Sequence, residues 1–446
     1  MSDVIIIGGG PAGSILGCYL SIAGIGNTIF ESAIHPRPHV GESMVTATTR
    51  VFQEIEFLET MEREGFIRKY GASWHPPSST GEFAIEFGEF PQEGIDQAYT
   101  YHVDRSKFDL LLLKHAEMLG SKVYQGIHVK KVLFEDGRAN GVRIRIGDRE
   151  IDLPCKIVVD ASGRHTLLGR QLGLKKKDPI FNQYAVHAWF ENVDKGAGPT
   201  AEYIHVYFLP VERGWVWQIP ITDAITSVGV VAEKEVFKQS KMDIENYFQT
   251  HVTFSPDLAR ALRNARRIND FKTEGDYSYT MEKLVGDGFL LIGDAARFVD
   301  PIFSSGVSVA AHSAKFAAER IQYALGTGDF SEAVFKPYED KLRRGVDVWY
   351  EFIRLYYKLL PLFTYFIQSK QHRLEVLRLL QGEVYDRQEV PVLGAMRKFI
   401  EAAERSENHV FRDQLTNIPI GLDSDSNQQK SPSNTPLAMT TRTGGE

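Results

Sequence analysis

At 446 residues, 43% of them hydrophobic, the chain is long enough for two or three domains with filled cores. A formal net charge of −7 argues against nucleic acid as the main partner. Its two cysteines, Cys18 and Cys155, lie far apart without metal-ligand spacing, so neither a disulfide framework nor a metal is expected, and reduced thiols in the cytoplasm are the default.

The chain opens on an apolar run, Val4 to Ile7, which predicts one buried strand running into Gly8-Gly9-Gly10-Pro11-Ala12-Gly13 and then a helix. In such a G-x-G-x-x-G, Gly8 makes the tight turn, Gly10 lets a pyrophosphate approach the backbone, and Gly13 lets the helix pack on its strand. A second apolar segment, Asn27 to Phe30, ends in Glu31, whose carboxylate is placed to accept from ribose hydroxyls; this points to FAD or NAD rather than NADP. The N-terminus lacks the basic region and cleavage site of a signal peptide.

Further on, Gly41-Glu42-Ser43 precedes a helical pattern and reads on its own as a helix cap. Arg68 and Lys69 come just before Gly71-Ala72-Ser73-Trp74, and His75-Pro76-Pro77-Ser78-Ser79 breaks regular structure. Alternation from Phe83 to Phe90 predicts a strand, and Asp104-Arg105 opens a Leu-rich helix through Met118. Short strands are expected at Val123 to Gln125, Val129 to Phe134 and Gly141 to Ile146, with a hairpin at Asp136-Gly137. Ile157 to Asp160 is another buried strand, and its turn fits either a cofactor edge or a plain strand end.

From 175 to 276 the runs are short and alternating: Ala185 to Phe190, Ala201 to Leu209, Gly214 to Ile219 and Ser227 to Val231 predict a second sheet. The strand Gly288 to Ile292 returns the chain through Gly293-Asp294, and a small-residue helix is expected from Gly306 to about Leu325. Helical pattern continues to about Glu404, and the dense aromatics from Trp349 to Phe366 are expected to pack a core. Glu351, Arg354, Lys358 and Pro361 interrupt that segment, so no membrane span is expected. Beyond Gly421 the polar composition predicts a disordered tail, 421–446.

Taken together, Gly8 to Gly13 with Glu31, Asp104-Arg105, Asp160 to Arg164 and Gly293-Asp294 resemble, in chain order, the FAD domain of aromatic-hydroxylase-like flavoproteins. Trp215-Val216-Trp217-Gln218-Ile219-Pro220 and Phe298-Val299-Asp300-Pro301-Ile302-Phe303-Ser304-Ser305-Gly306 match the W-x-W-x-I-P and F-x-x-P-x-x-S-x-G motifs of flavin-dependent halogenases, in the phenol and pyrrole branch of the tryptophan-halogenase-like group. Without that context, a Trp pair at spacing two reads as one packed face of a strand. Lys69 with the small pair Gly71-Ala72 and Trp74 is similar to the lysine stretch of those enzymes, although His75-Pro76-Pro77 departs from their Trp-Gly continuation.

The resemblance implies an α/β fold: a Rossmann-type FAD domain (1–174, with an excursion to the substrate domain near 76–100, and returning at 277–325), an inserted substrate sheet at 175–276, and a helical region at 326–420. It implies FAD contacts from Gly8, Gly10, Ala12, Gly13, Glu31, Glu42, Ser43, Arg105, Asp160, Asp294 and Gly306, and a halide, chloride or bromide, at Ser304, Ser305 and Gly306. Family chemistry would run from FADH2 and dioxygen through a flavin C4a-hydroperoxide to hypohalous acid, which Lys69 passes to an electron-rich ring while Trp215 and Trp217 wall the flavin off. A phenolic ring, free or bound to a carrier protein, is the expected substrate. Because one nucleotide fingerprint is visible, a separate flavin reductase is the expected source of FADH2. The alternatives are an FAD-dependent aromatic monooxygenase, for which Lys69 would be incidental, and an inactive FAD-binding protein.

Overall fold

The computed structural model describes residues 2–76, 81–90, 98–211, 213–275, 278–386, 389–406 and 408–416; the expected tail and residues 77–79 of the expected 75–79 break lie outside them, and His75 itself ends the strand Gly71–His75. Its first layer is a six-stranded sheet in the order Val285–Gly286, Phe289–Leu291, Ile157–Asp160, Val4–Ile7, Asn27–Glu31 and Lys122–Gln125. All neighbours are parallel except the first pair, and Ile5 sits opposite Val158 on one side and Thr28 on the other. A run such as Val4–Ile7, apolar at every position, suits a strand covered on both faces, and all four of its residues are buried. The helix Pro11–Ile22 packs against both Arg105–Leu119 and Ser305–Thr327.

A three-stranded antiparallel sheet, His128–Glu135, Arg138–Ile146 and Arg149–Pro154, turns at Asp136-Gly137, where both residues have positive φ as the right-handed twist of a two-residue hairpin requires. The strand expected at Val123 to Gln125 forms as Lys122–Gln125, at the edge of the large parallel sheet.

The eight-stranded sheet contains Gln183–Glu191, Ile204–Phe208, Trp215–Pro220 and Ile225–Glu233, close to the expected runs. Gly71–His75 and Phe83–Glu86 join it from much earlier in the chain, Gly71–His75 running parallel to Ile204–Phe208. The segment from 175 to 276 is not all sheet: the short helices Lys234–Ser240, Ile244–Val252 and Pro256–Ala261 lie within it. Tyr247, Phe248, Val252 and Leu258 from two of them form a second core with Val186, Tyr207, Val216 and Val230 of the sheet. The opposite face, carrying Val206, Trp215 and Trp217, belongs to the main core.

The C-terminal region is helical, led by Ser305–Thr327 and Glu332–Lys358. Its aromatics pack as expected: Trp349, Phe352, Tyr356 and Phe363 are buried, and Phe303 stacks on Phe352 with ring centroids 4.4 Å apart. Among the described residues, no helix is long and apolar enough to cross a membrane.

Candidate active site

A cavity of about 660 Å³ opens beyond the carboxyl ends of Val4–Ile7, Asn27–Glu31 and Ile157–Asp160, where an open parallel sheet binds ligands, and it reaches across to the tryptophans of the second sheet. At its nucleotide end Gly8 has φ +109°, and a Cβ there would lie 2.4 Å from the carbonyl oxygen of Ala161. A Cβ on Gly13 would stand 1.9 Å from the Gly8 carbonyl oxygen, so only glycine lets the helix come this close. Gly10 differs, because a Cβ there would meet only the guanidinium of Arg37, at 3.5 Å, and would otherwise point into the cavity. No side chain caps the helix that starts at Pro11, which leaves its first turn available to an anion.

Glu31 lies on the cavity wall, but both of its oxygens also have local work: Oε2 accepts from the Gly9 amide at 2.7 Å and Oε1 from the Ala33 amide at 2.8 Å. It therefore ties the glycine turn to the second strand. Asp160 is buried beneath the wall rather than on it, with Oδ1 accepting from the Ser162 amide and Oδ2 from the Leu168 amide. Of the two readings that its strand end left open, the geometry matches a structural cap on the turn that carries Ala161 to Arg164 past the cavity.

Arg105, on the wall, is held by paired hydrogen bonds to Asp109 at 2.8 and 3.0 Å. Its Nη1 donates to the Val40 carbonyl at 2.7 Å and thereby fixes the turn that presents Glu42 and Ser43. Glu42 Oε1 accepts from Trp189 Nε1, and Oε2 is buried facing Ser227 with no full hydrogen bond among the described residues. Burial pushes this carboxyl up to about 7, against the pull of Ser227 first and of Trp189 second. Asp294 is likewise pushed up to about 6 by burial, against the pull of Arg164 and Arg105. An unsatisfied acceptor, an open glycine and an uncapped helix end on one wall fit a dinucleotide carrying a hydrogen-bonding ring.

At the other end Ser304 turns left-handed, φ +56°, and Ser305–Thr327 begins with no side-chain cap. Ser304, Gly306 and Val307 line the cavity, and a Cβ on Gly306 would meet only Phe298, at 3.5 Å. Trp215 and Trp217 form the facing wall with ring centroids 5.9 Å apart. Trp215 Nε1 donates to Tyr357 Oη at 2.9 Å, and that hydroxyl donates to Asp300 Oδ1. Trp217 Nε1 donates to Ser227 Oγ at 3.1 Å, and its ring fills the space a Cβ on Gly229 would need.

Lys69 is not on this wall. It sits one residue behind it, 3% exposed, with Nζ donating to Ser43 Oγ at 2.9 Å and to the Met44 carbonyl at 2.8 Å. No carboxylate pairs with it among the described residues, and burial pulls its amine down to about 7. His102 stands on the neighbouring strand, Thr100–His102, bridged to Ser43. Arg37, His39, His102, Trp189 and Tyr357 were not singled out from the sequence: isolated polar or aromatic residues at irregular spacing carry no pattern until the fold collects them.

The tryptophan halogenase family model matches residues 3–97 and 91–361. A 1H-pyrrole-2-carbonyl peptidyl-carrier-protein chlorinase of Pseudomonas fluorescens is 46% identical over 94% of this chain and 97% of its own. The corresponding brominase of Pseudoalteromonas luteoviolacea is 32% identical over 91% and 98%. Among solved structures, the flavin-dependent brominase Bmp2 superposes with a TM-score of 0.83 at 31% identity, covering 91% of this chain and 99% of that one. The myxobacterial chondrochloren halogenase CndH follows at 0.75 and 29%, covering 88% and 92%. The expected α/β fold is thus the fold of known FAD-dependent halogenases, and this chain belongs to the tryptophan halogenase family of flavin-dependent halogenating enzymes.

Proposed function

We propose that this flavin-dependent halogenase acts on a pyrrole ring carried as a thioester on a carrier protein. Support for the ring and the carrier comes from the two pyrrolyl-carrier relatives, which match almost from end to end. No such support attaches to the phenolic ring expected from sequence. FADH2 would come from a separate reductase, in keeping with the single fingerprint Gly8 to Gly13.

Bound in the cavity, reduced FAD with dioxygen supplies the two-electron oxidation that turns chloride or bromide into hypohalous acid. Gly8, Gly10, Ala12 and the uncapped turn after them would receive the pyrophosphate, and Glu31 the ribose. Glu42 and Ser43 would face the ring system, and Asp294 the ribityl or pyrophosphate region. The open start of Ser305–Thr327, from Ser304 to Gly306, would hold the halide, since fixed amide dipoles away from bulk water favour a small anion. The observation that carries the mechanism is Lys69: a buried amine with no counter-ion among the described residues, one hydrogen bond behind the cavity wall. Its Nζ would hydrogen-bond the hypohalous acid or bind its halogen. From hydrogen-bonded hypohalous acid, the ring carbon would bond to halogen as the halogen–oxygen bond breaks, the oxygen leaving as water with the ring proton; from a haloamine, water would have left earlier and the halogen–nitrogen bond would break, the ring proton returning to the amine. Trp215 and Trp217 would keep the substrate ring off the flavin, so that halogen reaches it and peroxide oxygen does not.

The test supplies FADH2, dioxygen and chloride or bromide to pyrrolyl-carrier, phenol-carrier and free aromatic substrates, with products read by mass spectrometry. Halogenated pyrrolyl-carrier is the expected product. Halogenation confined to phenols or to free rings would overturn the assignment.

A further inference from the structure

On the face of the eight-stranded sheet opposite the tryptophans, His75 and His205 are brought together by parallel strands, and Glu82 closes the group. His75 lies two residues from Ser73, whose register partner is His205, so both rings stand on one face while Trp74 between them points the other way into Phe363. His75 Nε2, His205 Nδ1 and Glu82 Oε2 form a triangle with sides of 2.9, 3.7 and 3.8 Å. A point about 0.6 Å above its plane, on the side of a fourth ligand, is about 2.1 Å from all three corners, within the bond lengths zinc takes to imidazole nitrogen and carboxylate oxygen in a four-coordinate site.

The surroundings orient the same atoms. His205 Nε2 lies 3.0 Å from the Thr200 carbonyl, which can only accept, so this nitrogen carries the proton and the Nδ1 lone pair faces the triangle, where it accepts from His75 Nε2 at 2.9 Å; a bound cation would take the place of that shared proton. Glu82 Oε2 accepts from Ser73 Oγ at 2.6 Å and Oε1 from Thr200 Oγ1 at 2.8 Å. A ring N–H on a backbone carbonyl and a hydrogen-bonded carboxylate are the outer partners that metal ligands usually keep. Tyr207 stacks on His75 with centroids 4.2 Å apart, which limits the ring's rotation.

We propose that His75, His205 and Glu82 bind one zinc ion, with solvent as fourth ligand, apart from the flavin cavity. The ion ties the early strand Gly71–His75 and the residue preceding Phe83–Glu86 to the later strand Ile204–Phe208.

The test uses the full-length, tag-free protein, stripped with a chelator. Zinc should return at one equivalent per chain and raise the melting temperature, since a ligand of the native state alone stabilises it. Cobalt(II) in its place should give visible d–d absorption. His205→Ala and Glu82→Gln should each weaken zinc binding by at least about 10-fold, given the losses seen even for outer-shell changes, and abolish the cobalt spectrum. Glu82→Gln keeps the shape of a partly exposed side chain, and retained FAD would show that the variant is folded. Zinc bound equally by wild type and both folded variants would be adventitious surface binding and would overturn the site, as would a wild type that takes up none.

Discussion

Replacing Lys69 by methionine separates the amine's chemistry from its cost to the fold. Pulling it from 10.5 to about 7 weighs about 5 kcal/mol against the charged form. Methionine removes that burden but forfeits the hydrogen bonds to Ser43 Oγ and the Met44 carbonyl, together about 3 kcal/mol. Lys69→Met should therefore be more stable than wild type by about 2 kcal/mol below pH 7. Between about pH 7 and 10.5 the unfolded chain holds a proton that the native amine has released, so wild-type stability rises with pH and the variant's advantage disappears. Urea denaturation across that window reads the difference. The same variant should bind FAD and reoxidise FADH2 with oxygen at near wild-type rates, while halogenated product falls by about two to four orders of magnitude. A variant less stable by one constant amount at every pH would refute the buried, unpaired amine. Halogenation within about tenfold of wild type would remove Lys69 from the transfer step.

Three other variants test the cavity. Gly10→Val should fold, since its Cβ meets only Arg37, but lose FAD on desalting; a yellow protein after gel filtration would contradict the pyrophosphate position. Glu42→Gln addresses a carboxyl pushed up to about 7: between its ordinary 4.5 and 7 the unfolded chain gives up a proton the native one keeps, so wild-type stability falls with rising pH. The variant should lose that slope, worth about 3 kcal/mol, in melting curves across the same window. Gly229→Ala puts a methyl 2.2 Å from the Trp217 ring and should cost about 1–3 kcal/mol while displacing the indole, seen as a changed tryptophan emission and a lower halogenation rate.

What was legible in the sequence is what repeats at short range. The strand, glycine turn and acid from Val4 to Glu31 declared themselves because one buried unit must carry them in that order. The Trp215-Trp217 and Phe298 to Gly306 stretches were legible through family likeness, and both reach the same cavity. Arg149–Pro154 was missed because it is charged and largely exposed, and its only alternation is the single pair Ile151 and Leu153, cut short by Pro154. The helices from Lys234 to Ala261 were missed because six to nine residues barely complete a periodic face. Lys69 showed its type but not its setting, since nothing local reveals that Ser43 would stand between it and the cavity. The triad His75, Glu82 and His205 had no signal at all: its third member arrives more than a hundred residues later, through a parallel pairing that no local rule predicts.

That pairing also bears on how the protein is made. The ribosome releases Gly71–His75 long before Ile204–Phe208, and Phe289–Leu291 of the first sheet later still, so neither sheet is complete until most of the chain has emerged. Such distant partners make for slow assembly and a long interval with open edges. A piece cut at 175 and 276 would leave the otherwise fully buried strand Ile204–Phe208 without its neighbour, and pieces of that kind associate edge to edge. The two sheets are interlaced rather than strung in series, so the enzyme should be expressed, trimmed or grafted only as a whole.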